Sequence, residues 1–422
     1  MNDMDVTLEK LKQGQNVFLT GGAGVGKTTT TKSIIESYEK DAKKVAKLAS
    51  TGMAATLIGG QTLHSFFDLG IASDIKELEK NAKLELKKKK KKLIASMDLI
   101  VIDEISMVSD KVLELIQLRL DQAEFKGVIL VVGDFLQLPP VTQRNYKISY
   151  AFESEAWKQF AFKTIELKKI YRTDDKLFIE LLHQVRFGIV DEFIHNRLNE
   201  FIRPLPHDLS QFSFLFGKNI SALRHNKMQL EYIDADLFVK EAQIIKHKKS
   251  LSDTLCDRFL QDARIEKSLE LKVGAPVLFS RNSWNYFNGE RGVIIKIDDV
   301  YVYVEKTDGK VVKLEQVAQS KSEWIEKNVN GKSEFIEEEI LRVYQYPIRL
   351  AFAITIHKSQ GMSIENLIID TREIFAPSQF YVALSRASNP KQLILIAPSK
   401  QWYELIYVNP KAMEFVNKGL SC

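Results

Sequence analysis

Cysteine is nearly absent from this chain: Cys256 and Cys422 are its two cysteines in 422 residues. So small a number excludes a disulfide framework and a Cys-based zinc site. Seven histidines are scattered without the short spacings that bring imidazoles onto one metal. No apolar run approaches the roughly 20 residues that a membrane-spanning helix needs. A secretory signal is missing too, because Asp3, Asp5 and Glu9 stand where such a segment would be basic and then apolar. A strong excess of one charge is missing, since 60 Lys and Arg against 55 Asp and Glu leave a net charge of +5. That bias fits an ordinary solvated surface, and it would favour nucleic acid only if concentrated on one face. We therefore expect a soluble cytoplasmic protein in a reducing compartment, with no membrane partner.

What is present is the material of a packed globular protein: 45% of the residues are apolar, and the length allows two to four compact units. The first third alternates short apolar strands (Gln15–Thr20, Lys44–Ser50, Met97–Asp103, Gly127–Gly133, Phe162–Leu167) with helical stretches such as Thr28–Glu39 and Ser109–Asp121. Such alternation predicts a parallel α/β sheet. Asp68–Ser96 interrupts it and ends in six consecutive lysines, Lys87–Lys92. Two readings stand for this run: a solvated helix end or disordered tip, or a small arm whose lysines contact phosphates at a nucleic-acid channel. From Thr173 to about Glu270 the pattern is helical and irregular around a strand-like core at Phe212–Phe216. Ala275–Glu315 then alternates at period two, with Asn288-Gly289 and Asp308-Gly309 as turns, and predicts a small antiparallel barrel. The α/β pattern resumes at Arg342 and ends in a strand at Gln392–Ala397. There is no internal repeat.

Gly21–Thr28, GGAGVGKT, follows an apolar strand and opens a helix. Glycines there let backbone N–H groups approach phosphate, and the helix N-terminus adds partial positive charge. Gly21, Gly22, Ala23, Gly24, Val25 and Gly26 form the cradle, Lys27 reaches the β/γ-phosphates, the Thr28 hydroxyl binds Mg²⁺, and Thr29 follows. Leu99–Ser106, LIVIDEIS, ends a strand in two carboxylates. Asp103 is placed to hold the Mg²⁺ and Glu104 to polarise an attacking water. Alone, an Asp-Glu pair after a strand more often begins a loop; downstream of a phosphate loop it indicates NTP hydrolysis. Val128–Val141, VILVVGDFLQLPPV, sets a neutral amide, Gln137, just past a core strand and before Pro139-Pro140. A Gln so placed can sit opposite a γ-phosphate and report its presence.

The ordered set GGAGVGKT, STGMAATLIGGQTLHSFF, VIDEISMV, GDFLQLPPV, ELKKIYRT, ITIHKSQGMSI and FYVALSRA resembles the superfamily 1B helicases of the PIF/RecD group, from about Gln15 to Ala397. The resemblance implies an α/β fold of two RecA-like parallel-sheet domains with ATP between them, a short 1B-type arm and an SH3-like β-barrel insertion. On that pattern residues 1–67 and 97–170 form domain 1A, 68–96 the arm, 171–274 and 342–422 domain 2A, and 275–341 the insertion. It further implies ATP-dependent 5′→3′ translocation on single-stranded DNA with Mg²⁺, and unwinding of forked duplex. Action as a monomer, repair or replication partners and a nucleoid location complete the expectation.

By the same resemblance Arg172 and Arg386 are two arginine fingers that meet the γ-phosphate across the cleft. Tyr171 is either an adenine-stacking residue or a core tyrosine. Thr355, His357 and Lys358 touch DNA, and Gln360 and Gly361 lie nearer the nucleotide. Thr51, His64 and Phe66 form the DNA-facing motif of the first half, with Phe66 open to a core reading. Asn282, Trp284 and Tyr286 lie where a base contact is feasible, although a packed Trp284 is the plainer alternative. One departure is visible: 20 residues precede Gly21, and neither Gln13 nor Gln15 matches the family's adenine-reading Gln. This leaves base selectivity open and keeps a second reading, an ATP-controlled DNA translocase or clamp subunit that does not unwind alone. With no further domain in the sequence, specialised targeting is expected to come from a partner.

Overall fold

The computed structural model describes residues 3–420 apart from 71, 82, 141–146, 208, 210, 249–250, 264, 282, 287–289 and 330–331. Numbering strands in chain order, the first sheet contains β1 (Val17–Thr20), β2 (Val45–Ala49), β3 (Gln61–Thr62), β4 (Leu99–Asp103), β5 (Val128–Val132) and β6 (Lys163–Glu166). Their order is β3-β2-β4-β5-β1-β6, and every pairing is parallel. β1, β4 and β5 are buried along their whole length, as continuous runs of branched apolar residues require in a sheet covered on both faces. Because all six strands run the same way, the chain leaves β1, β4 and β5 at one edge of the sheet. This gathers the loops after Thr20, Asp103 and Val132.

The segment between β3 and β4 is helical, with short helices at Ile75–Lys80 and Lys88–Ala95. The lysine run lies on the second of these, Lys87 being its N-cap. Three of its side chains are engaged within the protein. Lys90 donates to the Phe66 carbonyl at 3.2 Å, Lys91 faces Glu85 at 3.5 Å and Lys92 faces Glu326 at 3.3 Å. Arg119, 0% exposed on the Asp110–Gln122 helix, fixes the base of this arm. It donates to the carbonyls of Phe67 (3.1 Å), Leu84 (2.8 Å) and Lys83 (2.5 Å) and to the Gln122 amide oxygen (2.9 Å).

A second parallel sheet, ordered β18-β7-β19-β20, is built from β7 (Ser213–Phe216), β18 (Ala353–Thr355), β19 (Leu367–Asp370) and β20 (Leu393–Ile396). Between β7 and β18 lie three antiparallel units. β8 (Phe238–Glu241) pairs with β10 (Ser268–Leu271). A five-stranded sheet, β14-β13-β12-β11-β17, uses β11 (Pro276–Phe279), β12 (Arg291–Ile297), β13 (Val302–Lys306), β14 (Val311–Leu314) and β17 (Ile348–Leu350). A long hairpin, β15 (Val317–Val329) with β16 (Lys332–Gln345), adds β9 (Gln243–Lys246) at its edge. Two expectations change here. The α/β pattern does not resume at Arg342, which lies inside β16, because the alternation of buried Leu341, Val343 and Gln345 with half-exposed Arg342 and Tyr344 continues the hairpin. The second sheet is re-entered only at Ala353. Asn288-Gly289, read as a turn, lies outside the described residues; Gly309 makes its turn with φ +77°.

The two halves also exchange parts. The helix Pro410–Leu420 returns to the first lobe, where Phe415 stacks on Phe152 at 4.2 Å and packs edge-on against Phe135 at 5.3 Å. Phe335 and Trp324, on the hairpin, join the same apolar cluster as the first lobe's Phe66 and Phe67. Residues 410–420 therefore belong with the first lobe in packing, against the assignment of 342–422 to the second.

Candidate functional site

The loop between β1 and the Lys27–Lys40 helix is shaped by its glycines. Gly24 has φ +79°, and a Cβ there would lie 2.9 Å from the Arg172 Cβ; at Gly21 a Cβ would lie 2.4 Å from the Leu167 carbonyl oxygen. Lys27 folds over the loop, donating to the carbonyls of Gly21 (2.7 Å) and Gly22 (2.9 Å). Burial lowers its ammonium against the opposing pull of Asp134 and Glu104. Thr28 is half-buried beside it and Thr29 is exposed.

Asp103 and Glu104 end β4. The Glu104 backbone is left-handed, φ +53° and ψ 49°, a conformation that costs a non-glycine residue about 1–3 kcal/mol and persists where surrounding structure fixes it. Its N–H donates to Asp103 Oδ1 at 2.9 Å. Burial and the neighbouring Glu104 push the Asp103 carboxyl up to about 7. Glu104 is also raised by burial, with Lys27 and Arg386 pulling the other way. Asp103, a buried carboxyl held above its usual range, fits a divalent cation together with the half-buried Thr28 hydroxyl, and leaves the half-buried Glu104 for an attacking water. Among the described residues no group of three or more His, Cys, Asp or Glu gathers, so the rest of such a cation's shell falls to substrate phosphates and water.

Past β5, the segment Phe135–Leu138 is stitched into both lobes. Phe135 and Leu136 belong to the first lobe's core, whereas Leu138, 0% exposed, packs in the second lobe's core with Phe178, Leu181 and Leu215. Gln137 sits between them, 6% exposed, its Nε2 at 3.3 Å from Asp134 Oδ2. Pro139 and Pro140 are buried.

Arg172 and Arg386 lie close enough to feel each other's charge, Arg172 against Gly24 of the phosphate loop. Arg172 donates to Ser363 Oγ (2.9 Å) and the Ser385 carbonyl (2.5 Å). Arg386 donates to the carbonyls of Val382 (2.9 Å) and Ser359 (3.1 Å). Burial lowers both guanidiniums, and in Arg386 the charge of Arg172 adds to the effect. Among the described residues neither has a carboxylate within ion-pair distance. Arginine stays charged even so, and these two cations, Arg386 buried and Arg172 half-buried, have no direct ion pair among the described residues. Tyr171 is 68% exposed, which removes the core reading; its ring would lie 3.8 Å from a Cβ at Gly26, and its N–H donates to the Gly24 carbonyl at 2.9 Å.

Of the remaining predicted residues, Thr51 caps the Gly52–Leu57 helix, accepting from Ala54 N at 3.2 Å. Thr355 ends β18 and accepts from Lys358 N at 3.4 Å, with His357 in the same turn. Gln360 is 6% exposed, and its buried Nε2 has no hydrogen-bond partner among the described residues. A Cβ on Gly361 would come 3.4 Å from Leu57, so the Thr355–Gly361 turn abuts the helix after Thr51. His64 is half-buried, and burial lowers its imidazole. Phe66 is corrected: at 0% exposure, edge-on to Phe67 at 5.0 Å, it presents no face to a base. Trp284 is 93% exposed, whereas Tyr286 is buried and stacks on Phe279 at 4.4 Å; Asn282 lies outside the described residues. Sequence reasoning missed three residues here. Arg186 makes a bidentate pair with Asp134, and Tyr381 accepts from the Ala23 N–H at 2.8 Å. Asp134 and Tyr381 lay inside quoted motifs without a role, and nothing in QVRFG marks Arg186.

A family model described as PIF1-like helicase matches residues 4–194, and a second, described as helicase, matches residues 321–417. The chain is 38% identical to the ATP-dependent DNA helicase Pif1 of Campylobacter jejuni over 97% of this chain and 96% of that protein. Its structure is similar to that of Bacteroides Pif1 with ADP-AlF4, at TM-score 0.85 and 28% identity, covering 100% of this chain and 97% of the other. Against Bacteroides Pif1 bound to single-stranded DNA the TM-score is 0.66, at 29% identity and the same coverage. With the phosphate loop, the paired carboxylates and the two lobes already in place, this chain belongs to the Pif1 family and is an ATP-dependent DNA helicase.

Proposed function

We propose that the protein translocates 5′→3′ along single-stranded DNA by alternate closing and opening of its two lobes, unwinding forked duplex ahead of it. The observation that carries the reading is the pair Arg172 and Arg386: Arg172 is half-buried against Gly24 of the phosphate loop, Arg386 is buried beside it, and among the described residues neither has a carboxylate within ion-pair distance. A γ-phosphate between Lys27 and these two residues supplies the missing anion, and the lobes are drawn together onto it. Glu104 orients and deprotonates the attacking water, Gln137 senses the phosphate, and Tyr171 covers the base. Thr28 and Asp103 would hold Mg²⁺, which when bound would neutralise phosphate charge. Gln360 serves the nucleotide, and Thr355, His357 and Lys358 in the same turn contact DNA together with Thr51 and His64. This reading is supported by the buried Gln360 Nε2, which has no hydrogen bond among the described residues, and by the approach of Gly361 to Leu57 in the helix after Thr51. The lower similarity to the DNA-bound relative supports a rearrangement of parts when DNA enters.

Replacing either arginine tests this. Arg386→Ala and Arg172→Ala should each lower DNA-stimulated ATP turnover by about 10³-fold, the lower end of finger effects, while nucleotide binding measured by a fluorescent analogue stays within about tenfold. Turnover near wild type in both variants would remove the anion-pairing role.

A further inference from the structure

Arg186 is the last residue of the Lys176–Arg186 helix in the second lobe, yet its guanidinium lies against the first lobe's Asp134. Nε reaches Oδ2 and Nη2 reaches Oδ1, both at 3.0 Å, with side chains 7% and 0% exposed. The carboxylate is saturated, because Leu136 N donates to Oδ1 at 3.1 Å and Gln137 Nε2 to Oδ2 at 3.3 Å. A Cβ on Gly22 would meet Arg186 Cδ at 3.7 Å and the Tyr381 hydroxyl at 3.2 Å, so both second-lobe side chains press on the phosphate loop. The helix that carries Arg186 holds Phe178 and Leu181, the residues around Leu138.

We propose that Arg186 and Asp134 are positioning residues that couple movement of the second lobe to Gln137. Gln137 is held by the carboxylate, the carboxylate is held by Arg186, and Arg186 moves with the second lobe. Closure or opening of the cleft therefore shifts the Gln137 amide relative to the phosphate loop, and the phosphate's presence is returned to the second lobe by the same path. The pair also explains why a carboxylate can sit in a phosphate site. Burial would raise Asp134, but Arg186 and then Lys27 overcome this and hold it below the usual carboxylate range, so it is a fixed anchor for the amide. The inference rests on Gln137 being the phosphate sensor.

The test compares Arg186→Lys, Arg186→Gln and Gln137→Ala in the full-length protein, with thermal melts as the folding control. The readouts are KM and kcat for ATP with and without single-stranded DNA, and ATP consumed per base pair unwound on a 5′-tailed fork. Arg186→Lys keeps a cation for Asp134 but loses the two-pronged geometry. It should fold, keep KM within about threefold and raise ATP consumed per base pair by about threefold or more. Arg186→Gln should go further, with about tenfold less stimulation of kcat by DNA; if it does not fold, Arg186→Lys decides. A folded Arg186→Lys with wild-type coupling overturns the proposal, even if its melting temperature falls. If Gln137→Ala uncouples hydrolysis while both Arg186 variants remain coupled, the linkage is wrong and the sensor stands. If Gln137→Ala is itself fully coupled, the sensor reading fails first.

Discussion

Lys27 and Glu104 carry separable parts of the chemistry. Lys27→Ala removes the cation that reaches the phosphates, and should abolish DNA-stimulated ATPase activity in a steady-state phosphate-release assay; retained activity would sink the loop's assignment. Glu104→Gln keeps the shape and its left-handed backbone but not the base. Filter binding should show ATP and DNA retained, with turnover lower by about 10²–10⁴-fold; wild-type turnover would take Glu104 out of that role. These residues were legible in the sequence because each follows a run of branched apolar residues that can only be a buried strand, and parallel strands deliver their ends to one edge. Arg186 was not legible. A buried ion pair between residues 52 positions apart leaves no local pattern, and an arginine ending an amphipathic helix reads as solvated. Phe66 was misread for the converse reason: an aromatic beside a polar motif has the same letters whether it faces a base or the core.

Among elements, the arm and the long hairpin depend on buried contacts rather than on their surface charges. The exposed Lys92–Glu326 pair contributes little, on the order of 0–1 kcal/mol. Arg119 matters more, because it donates to three backbone carbonyls and the Gln122 amide oxygen without competing solvent. The Leu84 carbonyl and the Gln122 oxygen each keep a second donor, whereas the carbonyls of Phe67 and Lys83 rely on Arg119 more. Arg119→Met should destabilise the protein by about 2–4 kcal/mol, as expected for buried carbonyls left unpaired. It should also loosen the arm, seen as faster amide exchange at Leu84 and Leu86 with the β1 and β5 amides still protected. Unchanged exchange there would mean the arm is held by apolar packing alone. The parallel strands of both sheets were readable from apolar runs, but the hairpin β15–β16 was not. Its polar alternation continues that of the smaller sheet before it, and its pairing is fixed by where Trp324 and Phe335 meet the first lobe.

For the whole molecule, two parallel-sheet lobes share one loop, and that loop bears Gln137. Leu136 is anchored in one core and Leu138 in the other, so relative motion of the lobes has to pass through the residue between them. The Pro410–Leu420 helix returns to the first lobe, so the chain that leaves the second sheet is anchored again beside Phe135 and Phe152. On the proposed function, a machine so arranged consumes ATP as it steps in one direction along a strand. Strand displacement on two forks that differ only in the polarity of the single-stranded tail tests this most directly, with ATP and Mg²⁺ present. The account predicts that the 5′-tailed fork is unwound and the 3′-tailed fork is not, and that Lys27→Ala unwinds neither. Unwinding of the 3′-tailed fork, or DNA-stimulated ATP hydrolysis with no unwinding of either, would contradict it.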